Sequence, residues 1–181
     1  MTHNDVINKY NELRAYCDGF WDNAVKLHPD QFKCRKGCSI CCELQSVNLL
    51  EAYNCCVHLL NNRSTGKNTD GRCVFIFDDS CRIYEARPLI CRTHGLLLKS
   101  PEFTNEIAPS CPFNFETLDF ENASRSCVLD IDRITGNLVR LNLAFCITAG
   151  DQSLAGNRFS LEDLAEGAVP EILVPLLERP Q

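Results

Sequence analysis

Cys34-Arg35-Lys36-Gly37-Cys38-Ser39-Ile40-Cys41-Cys42 holds four of the chain's thirteen cysteines within nine residues, the last two adjacent. A thiolate is a strong, soft ligand for zinc, copper(I) and iron–sulfur clusters. Several thiolates on one short, Gly-containing loop can turn toward a single point. Closing that loop around a metal costs less chain entropy than gathering ligands scattered along a sequence. The knot is therefore a candidate metal site, a set of disulfides or a catalytic thiol, and the rest of the chain must decide between them.

The chain has 181 residues, enough for one domain with its own core. A hydrophobic fraction of 45% suits a globular protein, and a net charge of -6 argues against nucleic acid or an anionic membrane as a partner. No apolar run approaches the ~20 residues that a membrane span needs. The first residues, Met1-Thr2-His3-Asn4-Asp5, have neither the basic start nor the apolar stretch of an export signal. A cytoplasmic location is expected from this, and in a reducing cytosol an odd number of cysteines reads as thiols rather than disulfides. Vicinal Cys41-Cys42 also resists the disulfide reading, because a bond between neighbours is strained.

Val6, Tyr10, Leu13, Cys17, Phe20, Ala24 and Leu27 recur at spacings of four and three, which predicts a first helix. Asn4 or Asp5 is its expected cap and His28-Pro29 its end. A second helix is expected from about Ser46 to Asn61, with Val47, Leu50, Tyr53, Val57 and Leu60 inward. Residues 61–71 are polar and turn-rich, which predicts a surface loop. Cys73–Phe77 and Cys81–Tyr84 flank Asp78-Asp79-Ser80 and predict a small hairpin. Pro88 is placed to open a short helix carrying Leu89, Ile90 and Cys91. Residues 95–120 read as irregular, 121–147 as helical with a break near Gly136-Asn137, and the tail with Pro170, Pro175 and Pro180 as extended. Ser160 with Asp163 fits the cap of a short late helix. The expected fold is mainly α: a single helical domain over 1–181 with one small β-hairpin, organised around a cysteine metal site at about 34–112.

Cys34, Cys38, Cys41, Cys42, Cys73, Cys81, Cys91 and Cys111 fall in predicted loops, at hairpin ends or at a helix start, where side chains and backbone amides can be aimed at a metal. Cys17, Cys55, Cys56, Cys127 and Cys146 fall on predicted helices and read as small buried hydrophobes. Eight thiols can make two four-thiolate sites, or one cluster with thiols to spare; zinc wants a tetrahedron and a cubane one thiolate per iron. Adjacent Cys41 and Cys42 point in different directions in most backbone conformations, so the pair is hard to fit to one mononuclear site. His94, three residues after Cys91, is a weaker candidate ligand.

The series Cys34-x3-Cys38-x2-Cys41-Cys42, Cys73, Cys81-Arg82-Ile83-Tyr84-Glu85-Ala86-Arg87-Pro88-Leu89-Ile90-Cys91-Arg92 and Cys111-Pro112 resembles the YkgJ-type cysteine-cluster proteins. That family is described as a zinc- or iron-chelating domain and includes the flagellin lysine N-methylases. The resemblance covers about residues 34–112 and puts all eight cysteines on family cysteine positions. It implies an iron–sulfur cluster or zinc as cofactor, and a metal ion or cluster, with or without a protein client, as partner. Arg35, Lys36, Arg82, Arg87 and Arg92 flank the cysteines. Arg87 and Arg92 are expected to offset thiolate charge, while Arg35 and Lys36 read as solvated surface charge.

Three catalytic alternatives stand beside a metal protein. Cys34-x3-Cys38-x2-Cys41 has the spacing of radical S-adenosylmethionine enzymes, but the repeated strand–helix alternation of their barrel is missing and Cys42 departs from the pattern. An S-adenosylmethionine-dependent lysine N-methyltransferase is suggested by the family's methylases, without a Gly-rich nucleotide loop to support it. A thiol enzyme needs a positioned base, and of His3, His28, His58 and His94 only His94 lies near the cysteine block.

Overall fold

The computed structural model describes residues 1–34, 37–62, 68, 70–104, 106–118 and 123–178. In chain order the elements are α1 (His3–Leu27), β1 (Ser46–Val47), α2 (Leu49–Asn61), β2 (Ile76–Phe77), β3 (Ser80–Cys81), α3 (Leu89–Thr93), β4 (Leu97–Lys99), β5 (Ile107–Pro109), β6 (Val128–Asp130), α4 (Ile131–Ala149), β7 (Phe159–Ser160), α5 (Leu161–Ala165) and α6 (Val174–Leu177). The chain is thus mainly α with small β elements. No helix among the described residues is long and apolar enough to cross a membrane.

The periodicity of α1 holds through most of its length: Val6, Tyr10, Leu13, Cys17 and Ala24 are buried, while Phe20 is half-buried and Leu27, at the last position of the expected stripe, is exposed. The helix stops before a 3-10 turn at Pro29–Gln31, as expected of a proline that cannot donate to the helix. Its cap is Thr2, not Asn4 or Asp5. Thr2 N donates to Asp5 Oδ2 (2.7 Å) and Asp5 N donates to Thr2 Oγ1 (3.2 Å), a reciprocal box.

The chain divides into two compact units, the first made of Met1–Lys9, Lys36–Pro88 and Val139–Gln181, the second of Tyr10–Arg35 and Leu89–Leu138. In the first unit, α2 packs on α5 and on a 3-10 turn at Tyr84–Ala86. Asn48 caps α2 by accepting from Glu51 N (3.0 Å), and Asn142 of α4 accepts from Leu50 N (3.1 Å). Those two bonds satisfy orphan amides of the first turn. His3, Tyr53 and Phe145 form a ring cluster with centroids 4.9 to 5.6 Å apart. β1 pairs antiparallel with β7, Ser46 opposite Ser160 and Val47 opposite Phe159. That pairing takes Ser46 and Val47 out of the expected second helix, which starts at Leu49. Within α2, Leu50 and Tyr53 are buried as expected, together with Leu49, Ala52, Cys55 and Cys56, while Val57 is half-buried and Leu60 is exposed. Most of the expected loop lies outside the described residues, at 63–67 and 69.

A hairpin forms at the expected place but is shorter than expected: its strands are two residues each, Ser80 belongs to the second strand rather than the turn, and Tyr84 opens a 3-10 turn. β2 and β3 pair Ile76 with Cys81 and Phe77 with Ser80. Asp78 and Asp79 make the turn at φ 46° and 53°, the positive-φ pair that matches a two-residue turn to the strand twist.

The second unit contains a sheet in the order β5-β4-β6, with β4 antiparallel to β5 and parallel to β6. Residues 95–120 are therefore not irregular throughout. Pro109 is tolerated because β5 is an edge strand. β6 claims Val128–Asp130, so the helix expected from 121 begins at Ile131 and runs unbroken through Gly136-Asn137; residues 119–122 lie outside the described set. The tail is also helical in part, with a 3-10 turn at Glu171–Leu173 leading into α6. Leu173 and Leu176 are buried there, and burial overrides the proline-rich composition. Ser160 caps α5 as expected, accepting from Glu162 N and Asp163 N (3.2 Å each).

Candidate metal centre

Five of the eight candidate cysteines belong to the first unit: Cys38, Cys41, Cys42, Cys73 and Cys81. Gly37, at φ +92°, turns the chain into the knot. Ser39–Cys42 is a tight turn in which Cys42 N donates to Ser39 O (3.0 Å). Cys38 is exposed, and Cys41 and Cys42 are half-buried. The knot meets the hairpin segment through the backbone: Cys73 N donates to Cys42 O (2.6 Å).

Cys73 and Cys81 are both half-buried. Burial pushes the Cys73 thiol up, opposed by the Phe75 amide. Burial also pushes the Cys81 thiol up, opposed by the Ile83 amide, raised further by Cys73, and lowered by Arg87. In both cases the amide two residues on is aimed at the sulfur. An N–H directed at sulfur favours the thiolate, the form that binds metal. Arg87 is held with its guanidinium 3.9 Å from the Tyr84 ring centroid and Nη1 donating to Tyr84 O (3.0 Å). Its charge lowers the Cys81 thiol, the smallest of the influences there. Arg82 instead lies over the Phe77 ring at 4.2 Å. His58, which is remote from the cysteine block in sequence, hydrogen-bonds the Arg82 carbonyl through Nε2 (3.2 Å), one residue past Cys81.

Cys34, Cys91 and Cys111 belong to the second unit. Cys34 is half-buried, Cys91 is exposed on α3, and Cys111 is buried. Asn114, which the sequence did not single out, organises this part. Its Nδ2 donates to Cys34 Sγ (3.3 Å) and Gly95 O (2.7 Å), and its Oδ1 accepts from Lys33 N (2.9 Å). Its own amide donates to Cys111 O (3.3 Å). The available signal was an Asn three residues after Cys111, which sequence cannot tell from an ordinary turn residue. Gly95 is required here, because at φ +97° a Cβ would lie 2.8 Å from the Trp21 ring and 3.1 Å from Asn114 Nδ2.

Arg92 is buried and its Nη1 pairs with Asp18 Oδ2 of α1. The charge expected to offset the ligand cysteines thus meets a carboxylate. It also acts on Cys17, whose thiol is pushed up to about 11 by burial and by Asp18, with Arg92 opposing. His94 is half-buried just past α3. Arg35 and Lys36 lie outside the described residues.

Among the described residues no three histidine, cysteine, aspartate or glutamate side chains are drawn together tightly enough to hold a metal ion. The chemistry of the donor set nonetheless fits a thiophilic metal: all-sulfur donors, two of them served by backbone amides and one of those offset by an arginine.

Residues 33–112 match the family model described as "CxxCxxCC: Putative zinc- or iron-chelating domain". No curated protein and no solved structure matches the chain.

Proposed function

From the match of residues 33–112 to the model of a zinc- or iron-chelating CxxCxxCC domain, we propose a metal-binding protein that holds an iron–sulfur cluster or zinc through its loop cysteines. Cys34, Cys38, Cys41, Cys42, Cys73, Cys81, Cys91 and Cys111 are the donors of this reading. The observation that carries it is the backbone bond from Cys73 N to Cys42 O, which joins the knot to the segment that leads into the Cys81 hairpin within one unit. Zinc would supply a closed structural centre, and a cluster would supply electron transfer or an open iron. The protein's own part is to order the thiols, aim the Phe75 and Ile83 amides at sulfur, and offset charge with Arg87. A reducing cytosol suits such a donor set. Eight thiols exceed the four of one mononuclear site, which favours iron–sulfur over a single zinc.

Anaerobic purification followed by visible spectroscopy and metal analysis tests the reading. Iron with acid-labile sulfide and a brown colour supports the cluster. A colourless protein with stoichiometric zinc rejects the cluster and keeps the metal protein. Neither metal bound rejects both.

A further inference from the structure

Three side chains that donate no sulfur interlock the three cysteine-bearing segments of the first unit. Ser39 lies between Cys38 and Cys41, Arg72 directly precedes Cys73, and Asp79 lies two residues before Cys81. Ser39 is 5% exposed. Its Oγ donates to Asp79 Oδ1 (3.2 Å) and accepts from Arg72 Nη1. The same Nη1 donates to Asp79 Oδ1 (2.8 Å). The other edge of the guanidinium, Nε and Nη2, grips Asp70 Oδ2 at 2.9 and 2.7 Å. Asp70 Oδ1 accepts from the Arg72 amide (3.1 Å). Arg72 is therefore oriented from both edges, and Asp79 is fixed by the positive-φ turn of the hairpin.

We propose that Arg72, with Ser39 and Asp79, is a positioning clamp that holds the Cys38–Cys42 turn against the Cys73–Cys81 hairpin and so orders the ligand cysteines before metal binds. The proposal rests on the metal-binding reading above. An exposed ion pair contributes little to stability by itself. The clamp acts instead on binding, because ordering the loop beforehand removes an entropic cost from metal uptake. Groups outside the ligand set that orient ligands change metal affinity by about 10–100-fold. Arginine is needed rather than lysine: a planar fork can reach two carboxylates and a hydroxyl at once, whereas an ammonium is a point charge.

The test uses the full chain with Arg72→Met, Arg72→Lys, Ser39→Ala and Asp79→Asn. Zinc affinity is measured by competition with a chromophoric chelator. In the metal-free protein, alkylation rates of Cys42, Cys73 and Cys81 are followed by mass spectrometry, with circular dichroism reporting the helices. Arg72→Met is expected to weaken zinc binding about 10-fold or more, with Arg72→Lys recovering only part of the loss. The metal-free thiols should alkylate faster while helical content stays that of the wild type, an outcome that general unfolding would not give. Ser39→Ala removes one hydroxyl and no charge, and so carries the test if Arg72→Met fails to fold. Wild-type affinity and alkylation rates in the folded variants would overturn the clamp alone. A wild-type protein that takes up neither zinc nor iron would overturn the metal reading and the clamp with it.

Discussion

The backbone amide of Cys73 donates to the carbonyl of Cys42 across 2.6 Å. That bond joins the end of the knot to the start of the hairpin, two segments separated by α2 and by the polar stretch after it. Neither residue's side chain is used in making it.

Replacing Cys38, Cys81 or Cys91 with Ser should lower both metal content and thermal stability, because metal binding to a site of this kind is part of the folding free energy. A fall in Tm of about 4 °C or more is expected for each, corresponding to roughly 1–2 kcal/mol in a chain of this size. Metal analysis and thermal melts check this. A variant keeping full occupancy and the wild-type Tm would remove that residue from the ligand set.

Gly95→Ala should destabilise the protein by at least about 2 kcal/mol, from the left-handed backbone together with the clash at the Trp21 ring. Urea denaturation measures it. Asn114 Nδ2 lies next to the same Cβ position, so reactivity at Cys34 should rise in this variant as well. A stability within about 0.5 kcal/mol of wild type, the range of ordinary surface changes, would contradict the geometry.

Asp18→Asn should cost about 2 kcal/mol, the order of a hydrogen bond to a charged group, because it weakens the pairing of the buried Arg92 guanidinium. Metal content should not change. Reduced metal occupancy with unaltered stability would reverse the assignment and return Arg92 to the cysteine centre.

The protein should lose stability as pH rises from about 9 to about 11. Burial pushes the Cys17 and Cys56 thiols up to about 11 each, from an ordinary value near 9. Over that window the folded state keeps the two protons that the unfolded chain releases, so the slope of stability against pH is negative. Below the unfolded value both states are protonated and the contribution is fully present. Denaturation midpoints of the metal-free protein at several alkaline pH values test the sign; Cys17→Ala with Cys56→Ala should flatten the slope.

Much of the fold was legible because its signals are local. The 3–4 spacing wrote α1, Asp78-Asp79 wrote the hairpin turn, and Ser160 with Asp163 wrote the start of α5. Each depends on residues within a few positions of one another. The errors came where a distant partner decided. Ser46-Val47 were drawn from the expected helix by Ser160 and Phe159. Val128–Asp130 were drawn into a strand by Leu97–Lys99, and three-residue strands carry too short a pattern to be recognised alone. The tail folded because Leu173 and Leu176 found burial that its prolines did not announce.

By itself the sequence determined the mainly helical class, the match of residues 33–112 to a CxxCxxCC domain model and the chemistry of the candidate donors. Residue identity fixes whether a sulfur is present, and its spacing fixes which turn carries it. Tertiary structure alone decided which neighbours those sulfurs meet. It gave Arg92 to Asp18 and Arg87 to the surroundings of Cys81, and it drew Ser39, Arg72 and Asp79 into one network. A flexible charged side chain can reach many partners from one backbone position, and only the arrangement of segments remote in sequence selects among them.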